Sequence, residues 1–319
     1  MKILITGVNG FIATNLVDYY LNNTDYEVIG LSKNTHATYA NNHIQNLVKQ
    51  NEKFKFIFCD INDVNRLFTI LNQENPDQII HLAAEADVSR SFEYAGDFLQ
   101  TNVYGSFNIL EWVRRNKDTR MLHFSTDEVF GEPDHKSKEN ERLHPKNPYS
   151  SSKASIEEFI RAYNSSFDTN VQMVRPVNNF GPYQGTNRLI AKTILRCIGN
   201  ESFYLFAETQ KHKRWWIYTE DTCSAVDFII KKGEKQGIYN ITSETEMGVE
   251  ETVFKILDIF GKRNLFKGYT EVRPKDDENY ALNGEKLKEL GWSPKYSFEE
   301  GIEKTIDWYK QNLSWFTKK

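Results

Sequence analysis

Short apolar runs alternate along this chain with stretches whose apolar positions recur every three or four residues. Lys2 to Thr6 is such a run, followed by Gly7-Val-Asn-Gly10-Phe-Ile-Ala13, after which Phe11, Leu16, Val17 and Tyr20 recur at helical spacing. The pattern predicts strand, glycine-rich turn and helix. Glu27 to Leu31 and Lys55 to Cys59 repeat the strand signal, Asp63 to Leu71 reads as a helix, and Gln78 to Ala84 is another apolar run. A long helical segment from about Tyr94 to Arg115 precedes a further strand, Met121 to Phe124. Strands alternating with helices predict an α/β fold with a parallel sheet and right-handed crossovers. Glu132 to Asn147 is polar, charged and proline-punctuated, which predicts a loop with room to move. Pro148 then opens a helix from Tyr149 to Tyr163, with Ile156, Phe159, Ile160 and Tyr163 on its apolar face. Val171 to Val174 is a sixth strand.

At Asn178-Asn-Phe-Gly-Pro-Tyr183 the alternation becomes less regular, and the domain change is placed there: 1–177 and 178–319, with a later segment near 214–235 returning to the first part. Beyond it, helices are expected at Leu189 to Ile198, Val249 to Phe260, Glu285 to Leu290 and Glu299 to Tyr309. Strands are expected at Phe203 to Phe206, Trp215 to Tyr218 and Gly237 to Ile241. The second part reads as a compact lid on the first.

Composition narrows the function classes. With 319 residues, 39% hydrophobic and 26% charged, the chain is ordinary for a globular protein of about two domains. A net charge of -4 disfavours nucleic acid or an anionic membrane surface as partner. Cys59, Cys197 and Cys223 lack metal-ligand spacing and form no disulfide framework, which fits a reducing compartment. The chain runs straight into a strand and has no apolar segment near ~18 residues, so neither leader peptide nor membrane span is expected and the protein should be cytoplasmic.

The chemistry-bearing residues come next. Gly7-x-x-Gly10-x-x-Ala13 between strand and helix is the context of a dinucleotide fingerprint, in which glycines let the backbone approach a pyrophosphate at a helix N-terminus. Where an acid would bind the adenosine ribose the chain has Ser32 and Lys33, so NAD and NADP both stay open; Asp60 and Ile61 are candidates for the adenine. Ser125, Thr126, Asp127 and Glu128 follow the Met121 to Phe124 strand at its carboxyl end, where ligands bind in open α/β sheets. Adjacent strand residues point to opposite faces, so the chain must leave β geometry at Asp127 if both acids are to meet one ligand. Of 16 tyrosines only Tyr149 has a lysine four residues on, Lys153, whose ammonium is expected to lower the phenol's pKa and make it a base. On spacing alone, a ligand-free turn, a solvated acid pair and a surface Tyr-Lys pair remain alternatives.

Taken together, the fingerprint, the alternating pattern, Thr126, Tyr149 and Lys153 resemble the extended short-chain dehydrogenase/reductase family over essentially the whole chain. Within it, Ser125-Thr-Asp-Glu-Val-Phe-Gly131 looks like the signature of nucleotide-sugar 4,6-dehydratases. His81-Leu-Ala-Ala-Glu85, Pro148-Tyr-Ser-Ser-Ser-Lys-Ala154, Asn178-Asn-Phe-Gly-Pro-Tyr183 and Arg273-Pro274 are similar to their patterns too. Phe130, Ser32, Trp215 and Asp276 depart from those patterns, and the loop from Gly131 to Tyr149 is short.

The resemblance implies a Rossmann-type doubly wound parallel sheet in 1–177 that holds NAD, tightly bound and regenerated each turnover. A smaller C-terminal α/β domain would hold the nucleotide sugar. It implies cofactor contacts from Gly7, Gly10, Phe11, Ile12, Ser32, Lys33, Asp60, Ile61, Ala83, Tyr149 and Lys153. Thr126, Asp127, Glu128, Tyr149 and Lys153 would be catalytic, and Glu85, Asn179, Arg188, Arg214 and Arg273 would contact substrate. The implied reaction is oxidation of the glucose of dTDP- or UDP-glucose at carbon 4, elimination of water across carbons 5 and 6, and hydride return to carbon 6. Asp127 would serve as acid and Glu128 as base, the Glu128 charge and exclusion of water keeping Asp127 protonated. A homodimer through the Tyr94 to Arg115 segment and the Tyr149 helix is implied as well. A nucleotide-sugar 4-epimerase and a non-catalytic nucleotide-binding relative are the competing readings.

Overall fold

The computed structural model describes residues 1–33, 39–270 and 279–316. In chain order the first part contains β1 (Lys2–Thr6), α1 (Phe11–Asn23), β2 (Glu27–Ser32), α2 (Tyr39–Gln50), β3 (Phe54–Phe58), α3 (Val64–Glu74) and β4 (Gln78–His81). It continues with α4 (Val88–Glu93), α5 (Ala95–Phe98), a π-helical turn at Leu99–Gly105, α6 (Ser106–Arg115), β5 (Arg120–Phe124), α7 (Pro148–Phe167) and β6 (Val171–Pro176). After these come β7 (Asn178–Phe180), α8 (Leu189–Gly199), β8 (Phe203–Phe206), β9 (Lys213–Tyr218), α9 (Thr219–Lys232) and β10 (Ile238–Ile241). The chain closes with β11 (Glu246–Gly248), α10 (Val249–Ile259), β12 (Phe266–Thr270), α11 (Glu285–Glu289) and α12 (Phe298–Gln311).

The large sheet is parallel with order β10-β6-β5-β4-β1-β2-β3. The parallel pairing is what the alternation predicts, and the doubly wound, Rossmann-type topology is the one that the resemblance implies. Strand residues alternate between two apolar layers: Ile3 and Ile5 enter one with Leu16, Val17 and Tyr20 of α1, and Leu4 enters the other with Leu67 of α3, Ile109 of α6 and Ile156 of α7. Strand order reverses between β1 and β4, so the connections leaving their carboxyl ends diverge and open a crevice there. A third apolar cluster joins α8, α10, α12 and β9, beside the small sheets β11-β9-β7 and β12-β8.

Four expectations are corrected. The segment from Tyr94 to Arg115 is not one helix: Tyr94 has φ -129° and ψ 49° between α4 and α5, and a π turn follows before α6. Helices α2 and α9 were not anticipated. The buried face of α9 includes Thr219, Thr222 and Asp227, which interrupts its apolar periodicity. Strand β10 is an edge of the large sheet, paired with β6 from Ile238↔Met173 onward, not part of a lid. The polar loop after Gly131 is tied down. Ser137 N–H donates to the Ala281 carbonyl (2.9 Å), Asn283 N–H donates to the Ser137 carbonyl (2.9 Å), and the buried Asn240 amide donates to the Ser137 carbonyl (2.8 Å). Arg175, fully buried, donates to the Glu139 carbonyl (3.0 Å) while its guanidinium engages both carboxylate oxygens of Glu157 on α7. A charged composition therefore marked a strap whose polar groups find partners across the fold.

Candidate active site

The crevice begins at the β1–α1 turn. Gly7 has φ +69°, and a Cβ there would lie 2.8 Å from the Ala83 Cα, so the backbone of β1 meets the segment after β4 at a distance only glycine permits. Gly10 starts α1 without a side-chain cap, leaving the helix N-terminus directed into the crevice. Thr6 Oγ1 braces the opposite wall by accepting from the Leu82 (3.2 Å) and Ala83 (3.1 Å) N–H groups. A cavity of about 190 Å³ there is bordered by Gly7, Gly10, Ser32, Lys33, Asp60, Ile61, Ala83 and Glu85. It shares Gly7, Gly10, Leu82 and Ala84 with a second cavity of about 450 Å³, bordered by Phe11, Ile12, Thr126, Asp127, Glu128, Tyr149 and Lys153. Glycines, a free helix end and a continuous trough fit a dinucleotide whose pyrophosphate rests on α1.

At the end of β5 the chain does what two facing acids require. Thr126 is still extended (φ -153°, ψ 156°), and a 3₁₀ turn then runs from Asp127 to Phe130, closed by Gly131 at φ +69°. Thr126 Oγ1 donates to Asp127 Oδ1 (3.0 Å) and accepts the Glu128 N–H (3.3 Å). Both carboxylates thus border the cavity that Tyr149 and Lys153 border.

Tyr149 is presented by α7, whose start is fixed by Asn147. The Asn147 Oδ1 accepts the Ser150 N–H (2.8 Å) in a capping box, with Pro148 in the first turn. Asn102, in the π turn, holds the other side: its amide donates to Ser152 Oγ (2.9 Å) and to the Glu85 carbonyl (2.9 Å). The Thr126 hydroxyl and the phenol also share a hydrogen bond. The short loop therefore does not keep Tyr149 from the Asp127–Glu128 turn.

The electrostatics differ from expectation at Tyr149. Its pKa is raised, first by burial and then by the Glu128 charge, with Thr126 opposing; Lys153 is not the dominant influence. The Lys153 ammonium donates instead to the Phe124 carbonyl, and burial lowers its own pKa to about 8. Asp127 is pushed up to about 6, chiefly by burial rather than by Glu128, while Thr126 and Arg214 pull it down.

That shift makes a stability prediction. The folded value of Asp127 lies above its ordinary 3.8, so its contribution is intact below about pH 4 and is lost as pH rises through about 6. Asp127→Asn should therefore gain stability over the native protein between pH 4 and 7, on the order of 2–3 kcal/mol at the upper end. Thermal midpoints across that range test it; a pH-independent difference would contradict it.

A third cavity, about 360 Å³, continues from Glu128, Asn179 and Arg188 to Tyr204, His212, Arg214, Trp216 and Tyr280. Arg214, buried, lies over the Tyr280 ring (5.1 Å) and donates to the Lys213 carbonyl (2.8 Å). Arg188 donates to the Ala86 carbonyl (2.9 Å), crossing from one lobe to the other. Asn179 borders both larger cavities, but its amide already donates to the Val177 carbonyl (2.9 Å) and its Oδ1 accepts from Thr222 (2.6 Å). Glu85 departs from its expected place: it pairs with Arg90 (2.7 Å) and Lys33 (3.5 Å) and borders the Ser32 cavity rather than that of Tyr149. Arg273 lies outside the described residues. Sequence reasoning gave no role to Asn147, Asn102 or Tyr280. Asn102 and Tyr280 stood out only as matches to the family's patterns, and Asn147 carried a local signal, an N-cap residue before proline.

Comparison with known proteins agrees with this geometry. The profile of the GDP-mannose 4,6 dehydratase family matches residues 4–305. The low-salt glycan biosynthesis protein Agl12 of Haloferax volcanii is 37% identical, covering 97% of this chain and 98% of its own. A dTDP-glucose 4,6-dehydratase of Escherichia coli is 35% identical over 100% of this chain and 96% of its own. The structure of DesIV, a dTDP-glucose 4,6-dehydratase from Streptomyces venezuelae with NAD bound, superposes with a TM-score of 0.89 at 32% identity, covering 99% of this chain and 98% of that one. With the fingerprint turn, the Tyr-x-x-x-Lys helix and the paired acids in one trough, the chain belongs to the nucleotide-sugar 4,6-dehydratases of the extended short-chain dehydrogenase/reductase family.

Proposed function

We propose that this protein is an NAD-dependent nucleotide-sugar 4,6-dehydratase that converts dTDP-glucose or UDP-glucose to the 4-keto-6-deoxy sugar nucleotide and water. The observation that carries the reading is the 3₁₀ turn that brings Asp127 and Glu128 to the cavity of Tyr149. A 4-epimerase uses Tyr149 and Lys153 but has no need of two carboxylates, and a protein without catalytic function needs none of the four.

Gly7, Gly10 and the residues of the Ser32–Asp60 cavity would hold NAD, with Tyr149 and Lys153 lining the adjoining cavity, and the bound cofactor would supply the acceptor for the carbon-4 hydride and its return to carbon 6. Tyr149 removes the 4-hydroxyl proton, with Thr126 hydrogen-bonded to the phenol and the Lys153 ammonium one helical turn away. The ketone acidifies carbon 5, Glu128 takes that proton, and Asp127 protonates the departing 6-hydroxyl, which leaves as water. Asp127 is suited to the acid role because burial already holds its proton near pH 6. Arg214 and Tyr280 hold the nucleotide end, with Arg188 at the cavity between the lobes. In this reading residues 1–177 with the segment near 214–235 bind the cofactor and the rest binds the nucleotide sugar. Incubation with each sugar nucleotide, followed by nuclear magnetic resonance, tests it: a 4-keto-6-deoxy product is expected, and an isomer at carbon 4 that keeps its 6-hydroxyl would mean an epimerase.

The reading extends to a cytoplasmic homodimer. All three cysteines are buried free thiols, in keeping with a reducing compartment. Leu99 (59% exposed) and Tyr104 (57%) of the π turn and Phe159 and Phe167 of α7 are all exposed. Apolar residues grouped in this way mark an interaction surface, and a second copy of the same helices covers it isologously. Leu99→Glu should convert a dimer to a monomer in sedimentation velocity at micromolar concentration; a native protein that is itself monomeric there would contradict the pairing.

A further inference from the structure

We propose that Asn147 is a positioning residue for the elimination step, its side-chain amide holding the Glu128 carboxylate in fixed relation to the Tyr149 helix. The inference rests on the dehydratase reading. Asn147 is 6% exposed, and the two ends of its amide face different elements. Oδ1 accepts the Ser150 N–H (2.8 Å) and so caps α7 two residues before Tyr149. Nδ2 donates to Glu128 Oε2 (3.1 Å), on the turn that follows β5. One planar group thus joins the phenol that works at carbon 4 to the carboxylate that works at carbon 5.

The local chain is shaped to bring these groups together. His144 N–H donates to the Val129 carbonyl (2.9 Å) and Gly131 N–H to the Glu128 carbonyl (3.2 Å), which presses the end of the loop onto the 3₁₀ turn. Gly131 at φ +69° makes the approach possible, because a Cβ there would lie 2.4 Å from the His144 carbonyl oxygen. Glu128 is half-buried, has three side-chain torsions and borders both the Tyr149 cavity and the nucleotide cavity, so an anchor is needed to keep it at one of them. Serine or aspartate would cap α7 equally well, but neither has an N–H to give the carboxylate. Asparagine meets both demands.

That difference defines the test. Asn147→Ser keeps a capping oxygen and removes the donor, and Asn147→Asp keeps the cap and places a carboxylate against Glu128. Both would be compared with the native enzyme and in a Glu128→Gln background. Asn147→Ser should lower kcat roughly tenfold, the scale of a hydrogen bond to a charged group, with KM within about twofold. Asn147→Asp should lower kcat further. In the Glu128→Gln background Asn147→Ser should change kcat less than about twofold, because the side chain it holds no longer acts as a base. An equal fall in both backgrounds would assign Asn147 to the helix alone and overturn the proposal, as would an unchanged kcat in Asn147→Ser. A native enzyme that makes no 4-keto-6-deoxy product from either nucleotide sugar would instead overturn the reading beneath it.

Discussion

Glu128→Gln should reduce 4-keto-6-deoxy product formation by about 10²–10⁴-fold, the range for losing a positioned general base, while the fold and nucleotide-sugar binding persist. Glu128 is half-buried on the 3₁₀ turn, and glutamine preserves its length and its contact with the Asn147 side chain by turning its amide oxygen toward Nδ2. Because Glu128 acts after carbon 4 has been oxidised, the variant should still remove the 4-hydroxyl proton yet fail to exchange the carbon-5 proton with deuterated water. Its charge is also one of the influences that raise the Tyr149 pKa, so its removal makes the phenol easier to ionise. A variant that retains native turnover would remove Glu128 from the mechanism.

Tyr149→Phe should cost a comparable 10²–10⁴-fold but stop the sequence earlier, with no exchange at carbon 5 because no ketone forms to acidify it. The ring should stay where it is: it packs edge-on against Phe98 (6.3 Å), and α7 keeps its cap through Asn147. Burial favours the neutral phenol. The Thr126 hydrogen bond favours ionisation, while the Lys153 ammonium is held by the Phe124 carbonyl. The contrast between the two variants assigns each group to its step: both lose product, but only Tyr149→Phe loses the first proton transfer.

The parts of this site that the sequence made legible are those set by local pattern. Gly7 and Gly10 sit between a strand and a helix, and Tyr149 and Lys153 fall on one helix face because four residues make one turn. That Asp127 must leave β geometry followed from the period of two along a strand, and the 3₁₀ turn at Asp127 is the form it takes. What could not be read depends on residues far apart in the chain. Nothing in the charged stretch after Gly131 announces that Ser137 pairs with Ala281 and Asn283, or that Arg175 reaches Glu139. Glu85 was assigned to the sugar by motif, yet its pairing with Lys33 and Arg90 draws it to the cofactor side. The expected effect of Lys153 on Tyr149 failed for a related reason: sequence spacing gives the shared helix face, but the Phe124 carbonyl, on another element, decides where the ammonium goes.

The central claim is that one site oxidises carbon 4, expels the 6-hydroxyl and returns the same hydrogen to carbon 6. Turnover of dTDP-glucose or UDP-glucose carrying deuterium at carbon 4 tests this most directly. The label is expected at carbon 6 of the 4-keto-6-deoxy product. Label that stays at carbon 4 of a product retaining its 6-hydroxyl would contradict it.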